Sequence, residues 1–275
     1  MADRQQLVAL YRDNDFKAQF ISNYLSAKCS SNANWTLSLA QLEWTNAFNI
    51  LANDLGDGYR PAVSQAPISK IRSAFLRVSE LGLSFNPETK EIYLHGALDS
   101  HNNVTLNTCL GYKGMQKLVM NTGSFQYFTT ELVHEGDTFN WMGSQDKPVF
   151  VSSGKTAGKD LICGIVVFTY RNGSVLSYKM DSEELLAIES ADLERHQQQF
   201  GSAGYSLYSG PWRNRMLKIS LWRNAYNELK HILMASANMP LLNIDNYGVF
   251  SDEQEVNDDF LNAFRDELAS GNQQD

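Results

Sequence analysis

Two lysines at helical spacing are the first residues in this chain that could do chemistry. Lys113 and Lys117 lie four residues apart, in a segment whose apolar residues predict a short helix beginning near Tyr112. Side chains at this spacing project from the same face of a helix. Two ammonium groups on one face can bind the phosphates of a nucleic acid, although an ordinary solvated helix face carries lysines in the same way.

A second basic group lies in the segment from Pro211 to about Met234, whose apolar spacing predicts one long helix. Two of its charged residues, Arg215 and Lys218, project from within the apolar arc, where a charge needs a partner. One interpretation is a groove in which phosphates supply the opposite charge. The other is that the aliphatic stems pack while the charged heads reach water or a carboxylate. The arc consists of Ile219, Trp222, Ala225, Tyr226, Leu229, Ile232 and Leu233.

Catalytic and metal-binding patterns are not found in the sequence. The five histidines show no metal-ligand spacing with each other or with cysteine. The string SSGKTAG, Ser152–Gly158, ends like a phosphate-binding loop, but the first glycine of that motif would fall at Val149. The sequence therefore predicts no cofactor, no metal site and no enzyme activity, and it disfavours a nuclease or an ATP-driven recombinase.

The net charge of −8 resides in the C-terminal segment. From Asp245 onward there are nine acidic residues and one basic residue, so the rest of the chain is neutral. A neutral body can still present a basic groove if its charges segregate. Within the tail, apolar residues recur every fourth position on a predicted short helix, which could dock in a partner's groove or fold back on its own domain. These residues are Val256, Phe260, Phe264 and Leu268.

Composition also predicts where the protein works. No apolar run approaches the roughly 18 residues that a membrane span needs, and the N-terminus lacks the apolar stretch of a secretory signal. The three cysteines are odd in number and far apart, which favours buried thiols in a reducing compartment. We therefore expect a cytoplasmic protein without membrane contact.

Helices and strands alternate in a way that predicts an α+β fold with a small antiparallel sheet packed against helices. Arg171-Asn172-Gly173-Ser174 predicts a tight hairpin turn, and Asp181 followed by Glu184 predicts a capping box at the start of a helix. The segment Gly201–Gly210 is rich in glycine and serine, which predicts a mobile loop. Its Tyr205 and Tyr208 could stack on bases, but we expect them to anchor the loop to the protein. Helices are predicted at Asp15–Ala27, Leu37–Leu55 and about Pro67–Leu81, and strands at Glu91–Leu94, Val104–Leu110, Phe125–His134, Asp137–Trp141, Leu161–Tyr170 and Ser174–Met180.

Four blocks of sequence, taken in order, resemble the RecT/Redβ family of phage single-strand annealing proteins. The resemblance spans roughly residues 66–235, and its most informative block contains the Gly-Tyr-Lys-Gly turn that includes Lys113. In the last block, Ile219 and Asn224 stand where the family often has a second basic residue. The blocks are IRSAFLRVSELGLSFNP, LNTCLGYKGMQKLVMNTGSF with ELVHEGDTFNW, VVFTYRNGSVLSYKMDSEELLAIES, and GPWRNRMLKISLWRNAYNELKHIL.

The resemblance implies a protein that binds single-stranded DNA and the nascent duplex, oligomerises as a ring or helical filament, and anneals complementary strands without ATP. It also implies that the protein acts in the cytoplasm of a bacterial host cell, with a 5′–3′ exonuclease as partner and in contact with the host single-strand binding protein. Residues 1–60 would form a helical oligomerisation region, 61–240 the annealing core and 241–275 the acidic tail. The alternative is an adaptor that acts through its tail. DNA-binding residues would be Tyr112, Lys113, Lys117, Arg215, Lys218 and Arg223, and partner-binding residues Phe260, Phe264 and Leu268.

Overall fold

The computed structural model describes residues 4–27, 35–54, 56, 60–154, 158–200 and 206–235. These residues divide into two compact units, one ending at Gly123 and the other beginning at Ser124. The division falls inside the range that the sequence suggested as a single annealing core. The α+β fold class is confirmed, since helices combine with small antiparallel sheets in the described part of the chain.

In the residues described, the first unit contains five α-helices and one β-hairpin. The predicted helices are confirmed to within one or two residues at most ends, whereas α1 was not predicted as a separate helix. Asp13 separates α1 from α2, because its carboxylate accepts a hydrogen bond from the Phe16 N–H at 2.9 Å. The elements are α1 (Arg4–Arg12), α2 (Asn14–Ser26), α3 (Leu37–Asn53), α4 (Ile68–Glu80), β1 (Ile92–Leu98), β2 (Val104–Leu110) and α5 (Tyr112–Asn121).

Aromatic side chains form the core of this unit. Trp44 of α3 lies edge-on to Phe16 and Phe20 of α2, with ring centroids 5.1 and 5.2 Å away. Phe75 of α4 and Phe85 of the following loop complete the cluster, 5.1 Å from one another. All five rings are at most 1% exposed. Burial of each is worth about 2 to 3 kcal/mol, so the cluster fixes the three helices on one another.

Two carboxylates hold the loop that follows α4. The Glu43 carboxylate, on a residue that is 7% exposed, accepts from the Ser84 hydroxyl and the Phe85 N–H at 2.7 Å each. Glu91 accepts from the Ser84 N–H, also at 2.7 Å. Since buried backbone donors must be paired, these contacts fix the turn at Gly82–Asn86 against both α3 and the start of β1.

The Gly-Tyr-Lys-Gly turn owes its two glycines to the backbone that it contacts. A Cβ atom on Gly111 would lie 2.2 Å from the Lys90 carbonyl oxygen, and one on Gly114 would lie 2.1 Å from the Glu91 carbonyl oxygen. The Gly111 N–H also donates to the Glu91 carbonyl at 2.9 Å. Only glycine permits this approach, so the first turn of α5 lies directly on the chain that enters β1.

We expect Gly114→Ala to destabilise the protein by about 1 to 3 kcal/mol, because the new methyl group would overlap a backbone carbonyl that cannot move alone. Thermal unfolding checks this. Lys113→Ala, at the neighbouring exposed position, is the control and should melt as the wild type does. An unchanged melting temperature for Gly114→Ala would show that the turn does not depend on this contact.

The described part of the second unit contains a three-stranded antiparallel sheet, a separate two-stranded hairpin and two long helices. The sheet order is β3-β6-β7, and among the described strands β4 pairs with β5 alone. The strand β5 was not predicted, whereas β4, which pairs with it, was predicted as Asp137–Trp141. The elements are β3 (Phe125–His134), β4 (Thr138–Asn140), β5 (Val149–Val151), β6 (Leu161–Tyr170), β7 (Val175–Asp181), α6 (Ser182–Phe200) and α7 (Arg213–Ala235).

Both faces of this sheet are covered over part of their area. On one face, Phe168 of β6 contacts Trp222 of α7, and a Cβ atom on Gly164 would lie 2.5 Å from Leu221. Glycine at this position therefore allows α7 to pack close to the sheet. On the other face, Val133, Cys163 and Ile165 pack against Phe139, Trp141 and Phe150 from the β4–β5 segment. Burial there raises the pKa of the Cys163 thiol to about 11.

The connections around β7 follow the sequence signals with one difference. Gly173 has a positive φ of 85°, but Asn172 does not; its side chain instead accepts from the Ser174 N–H at 3.0 Å. The predicted hairpin turn is present, and the Tyr170 N–H donates to the Ser174 carbonyl at 2.9 Å, which leaves three residues between this pair with glycine alone in the left-handed region. The Glu184 carboxylate accepts from the Asp181 N–H at 3.2 Å, which confirms one half of the predicted capping box.

The long helix α7 is buried around more of its circumference than its apolar arc predicted. Met216, Ser220 and Arg223 lie outside that arc and are nevertheless buried, because a short 3₁₀ segment, Leu207–Ser209, packs on this second side. The Tyr208 hydroxyl meets the Ser220 hydroxyl at 2.7 Å there, which confirms that Tyr208 pins its loop. Ile232, predicted within the arc, is wrong as a core position, since it is 52% exposed at the edge of the arc.

Among the described helices, none combines the length and the apolar character needed to cross a membrane.

Candidate nucleic-acid interface

The start of α5 presents Lys113 to solvent. Its Nζ lies 5.9 Å from the centre of the Tyr112 ring, a cation–π contact at the surface. Tyr112 itself is only 9% exposed and packs with the apolar side of the helix. The glycine contacts fix the backbone at this position, and the Lys113 side chain extends from it into solvent.

Lys117, one turn later, is held by the protein itself. Its Nζ lies 2.7 Å from the Glu91 carboxylate and 5.1 Å from the centre of the Trp35 ring. The Glu91 side chain is 13% exposed and also accepts from the Ser84 N–H. Replacing this pairing with a phosphate would leave a largely buried carboxylate without its counter-charge, which favours a structural role for Lys117.

Arg215, at the start of α7, is exposed. Its guanidinium carbon lies 5.6 Å from the centre of the Trp212 ring. The neighbouring Arg213 faces the protein instead and forms two hydrogen bonds with the Glu189 carboxylate, at 2.6 and 2.7 Å. These bonds raise the pKa of Arg213 and fix the first turn of α7 to α6.

Lys218 lies one turn beyond Arg215 and reaches the edge of the sheet. Its Nζ is 2.8 Å from the Glu131 carboxylate of β3, and the two side chains are 40% and 41% exposed. The contact is therefore accessible to solvent on both sides. Two interpretations were open for Lys218, a phosphate partner or a carboxylate partner. The structure shows the Glu131 carboxylate as its partner within this chain.

Arg223 lies inside the second unit. The residue is 8% exposed, and its charge acts on the buried hydroxyl of Tyr208. Burial raises the pKa of Tyr208 to about 12, and both the Ser220 hydrogen bond and the Arg223 charge oppose this rise. Asp192, 3% exposed, lies in the same region and accepts from the Ser206 hydroxyl at 3.0 Å. This polar cluster joins α6 to α7, so Arg223 helps to hold α7 within its own unit.

Several partners of the predicted residues were not foreseen. Glu91 and Glu131 are the carboxylates that receive Lys117 and Lys218, and Trp35 and Trp212 are the rings beside Lys117 and Arg215. Only Glu131 had a sequence signal, because it follows Tyr127 and Thr129 at alternate positions of β3 and so belongs to a polar row on one side of the strand.

Some predicted residues lie outside the described part of the chain. These are Tyr205, the tail residues Val256, Phe260, Phe264 and Leu268, and Lys155 and Thr156 of the loop that resembles a phosphate-binding motif. Val149, where that motif needs glycine, lies in β5. In the described ranges no three His, Cys, Asp or Glu side chains come together as metal ligands.

Most of the described chain matches a known protein family. A family model described as the RecT family matches residues 63–229, which run from the start of the turn before α4 to the penultimate turn of α7. No curated protein matches the chain. Since the match covers more than half of the 275 residues, the chain belongs to the RecT family. Proteins of this family bind single-stranded DNA and anneal strands in recombination, and are not enzymes in the usual sense.

The different surroundings of the basic residues lead to different expected effects of substitution. Lys113→Ala and Arg215→Ala should each flatten the salt dependence of single-strand binding, by about 0.7 in log-log slope, without changing the melting temperature. Arg223→Ala should instead destabilise the fold by about 2 kcal/mol, since a buried cluster loses its cation. Oligonucleotide titrations at several salt concentrations, with thermal unfolding of each variant, measure both. A stable Arg223→Ala protein with a flattened slope would reverse the assignment.

Proposed function

We propose that this protein anneals complementary DNA strands without ATP or a metal ion, in recombination of the phage type. Membership of the RecT family supports the annealing activity, and the exposed cations of α5 and α7 supply suitable phosphate contacts. Val149 in place of the first glycine of a nucleotide-binding loop supports independence from ATP.

The physical basis of this activity is neutralisation of the phosphate backbone. Two strands repel each other through their phosphates, and cations that bind the backbone lower this repulsion while the base edges stay free to pair. We assign direct phosphate contact to Lys113, Arg215 and Lys218, which are accessible to solvent. Tyr112, Lys117 and Arg223 hold the helices that carry them.

An annealing assay tests the proposed function directly. Two complementary oligonucleotides should anneal faster with the protein than without it, in EDTA and with no nucleotide added. A Lys113→Ala/Arg215→Ala variant that folds normally should accelerate annealing less, because two phosphate contacts are missing. Acceleration that required ATP or a divalent cation would contradict the proposal.

We further propose that the N-terminal helices join copies of the chain into a ring or filament. Helix α3 contains a single charged residue, Glu43, which is buried. Its outer side carries Leu39 and Leu42, 44% and 54% exposed and one helical turn apart. Exposed leucines on an uncharged helix face are typical of a contact between proteins, and a second copy of the chain is the partner that a long phosphate track requires.

We expect Leu42→Glu to shift the protein toward smaller assemblies while leaving its melting temperature near that of the wild type, since the side chain is exposed. Mass photometry over a range of concentrations measures the assemblies. Gln41→Glu adds the same charge to the same helix about 100° around its axis and should leave them unchanged. Equal behaviour of the two variants would place the contact elsewhere.

The partners beyond DNA are also proposed. The resemblance favours a 5′–3′ exonuclease that generates the single strand and the single-strand binding protein of a bacterial host, both acting in the host cytoplasm. The spacing of Phe260, Phe264 and Leu268 in the acidic tail favours this segment as the docking element.

A further inference from the structure

We propose that Glu131 competes with phosphate for Lys218 and thereby weakens the hold of the protein on a single strand. The inference rests on the proposed function, because it concerns a cation of the same interface. It assigns to Glu131 a role in setting affinity, which the function alone does not require.

The geometry places an internal anion on a cation that faces solvent. Lys218 Nζ and Glu131 Oε2 are 2.8 Å apart, a direct charged hydrogen bond. Phosphate and carboxylate oxygens both accept hydrogen bonds from an ammonium group, and a lysine has three donors on a flexible stem. A phosphate approaching Lys218 must therefore displace the Glu131 carboxylate or share the ammonium group with it. If the ammonium group is shared, the two negative charges lie close together and repel each other.

Comparison with the pairs formed by Lys117 and Arg213 shows why this one can exchange, as an exposed pair can. The carboxylates of Glu91 and Glu189 are 13% and 11% exposed in side-chain terms and hold Lys117 and Arg213. Releasing either cation would leave a buried carboxylate unpaired, at a high cost. Glu131 is 41% exposed, so water solvates its carboxylate when Lys218 leaves. An exposed ion pair contributes little, and exchange is correspondingly cheap.

The surroundings of the pair are open to a ligand. In the described sheet β3 is an edge strand, and Thr129 and Tyr127, two and four residues before Glu131, are exposed on the same side of it, Tyr127 by 43%. Arg215 lies one turn from Lys218 on α7 and is exposed. A strand that binds Arg215 thus reaches Lys218 next, where Glu131 opposes it.

The test compares single-strand binding by Glu131→Gln and by Glu135→Gln. Glu135 is an exposed residue immediately after the same strand, so the two variants lose the same charge close together in sequence. Each substitution is also made in a Lys218→Ala background. Affinity for a labelled oligonucleotide is measured at several salt concentrations, and all variants are checked by thermal unfolding, where the exposed pair should cost little.

Glu131→Gln should tighten binding about two- to fivefold at low salt and steepen the log-log salt slope by up to about 0.7, since Lys218 then neutralises one phosphate without competition. The gain should exceed that of Glu135→Gln and should disappear in the Lys218→Ala background. An equal gain in both backgrounds, or equal effects of the two glutamines, would show general repulsion and overturn the competition. A wild-type chain that binds no oligonucleotide would overturn the proposed function together with the inference.

Discussion

The contact between the Gly-Tyr-Lys-Gly turn and the chain at Lys90–Glu91 determines the arrangement of the first unit. The backbone of this segment receives α5 at two glycines, and the Glu91 carboxylate receives Lys117 and the loop that follows α4. Glu43 holds the same loop from α3. The segment before β1 thus contacts α5 and the loop that follows α4, and the same loop contacts α3. The position of Lys113 is a consequence of these contacts.

The second unit places its basic residues by a different device. Here α7 packs on the sheet through Gly164 and Trp222, and on its other side through the polar cluster around Tyr208 and Arg223. Charges on one helix therefore serve opposite purposes. Arg213 and Arg223 bind the helix to its own unit, whereas Arg215 and Lys218 remain accessible. The type of residue alone does not distinguish them, because exposure decides which cation a phosphate can reach.

Sequence patterns predicted the elements with long, regular apolar spacing, such as α2, α3, β3 and β6. They missed β5 and the separate α1, which are short. The single apolar arc of α7 misassigned Ile232 and left Arg223 open, since burial on a second side comes from a segment distant in the chain. The same limit applies to Glu131, which is 87 residues from Lys218. Pairings over such separations are tertiary facts that no local period contains.

The close seating of α7 on Gly164 has a consequence for the thermodynamics of binding. With Leu221 in contact with the sheet backbone, α7 cannot slide or turn without first separating from β6. The backbone of Arg215 and Lys218 therefore keeps a fixed position relative to the sheet before any ligand arrives. A strand that binds them must immobilise only the ends of two long side chains, so little conformational entropy of the protein is lost. The helix α7 is therefore preorganised for binding the phosphate backbone of a strand.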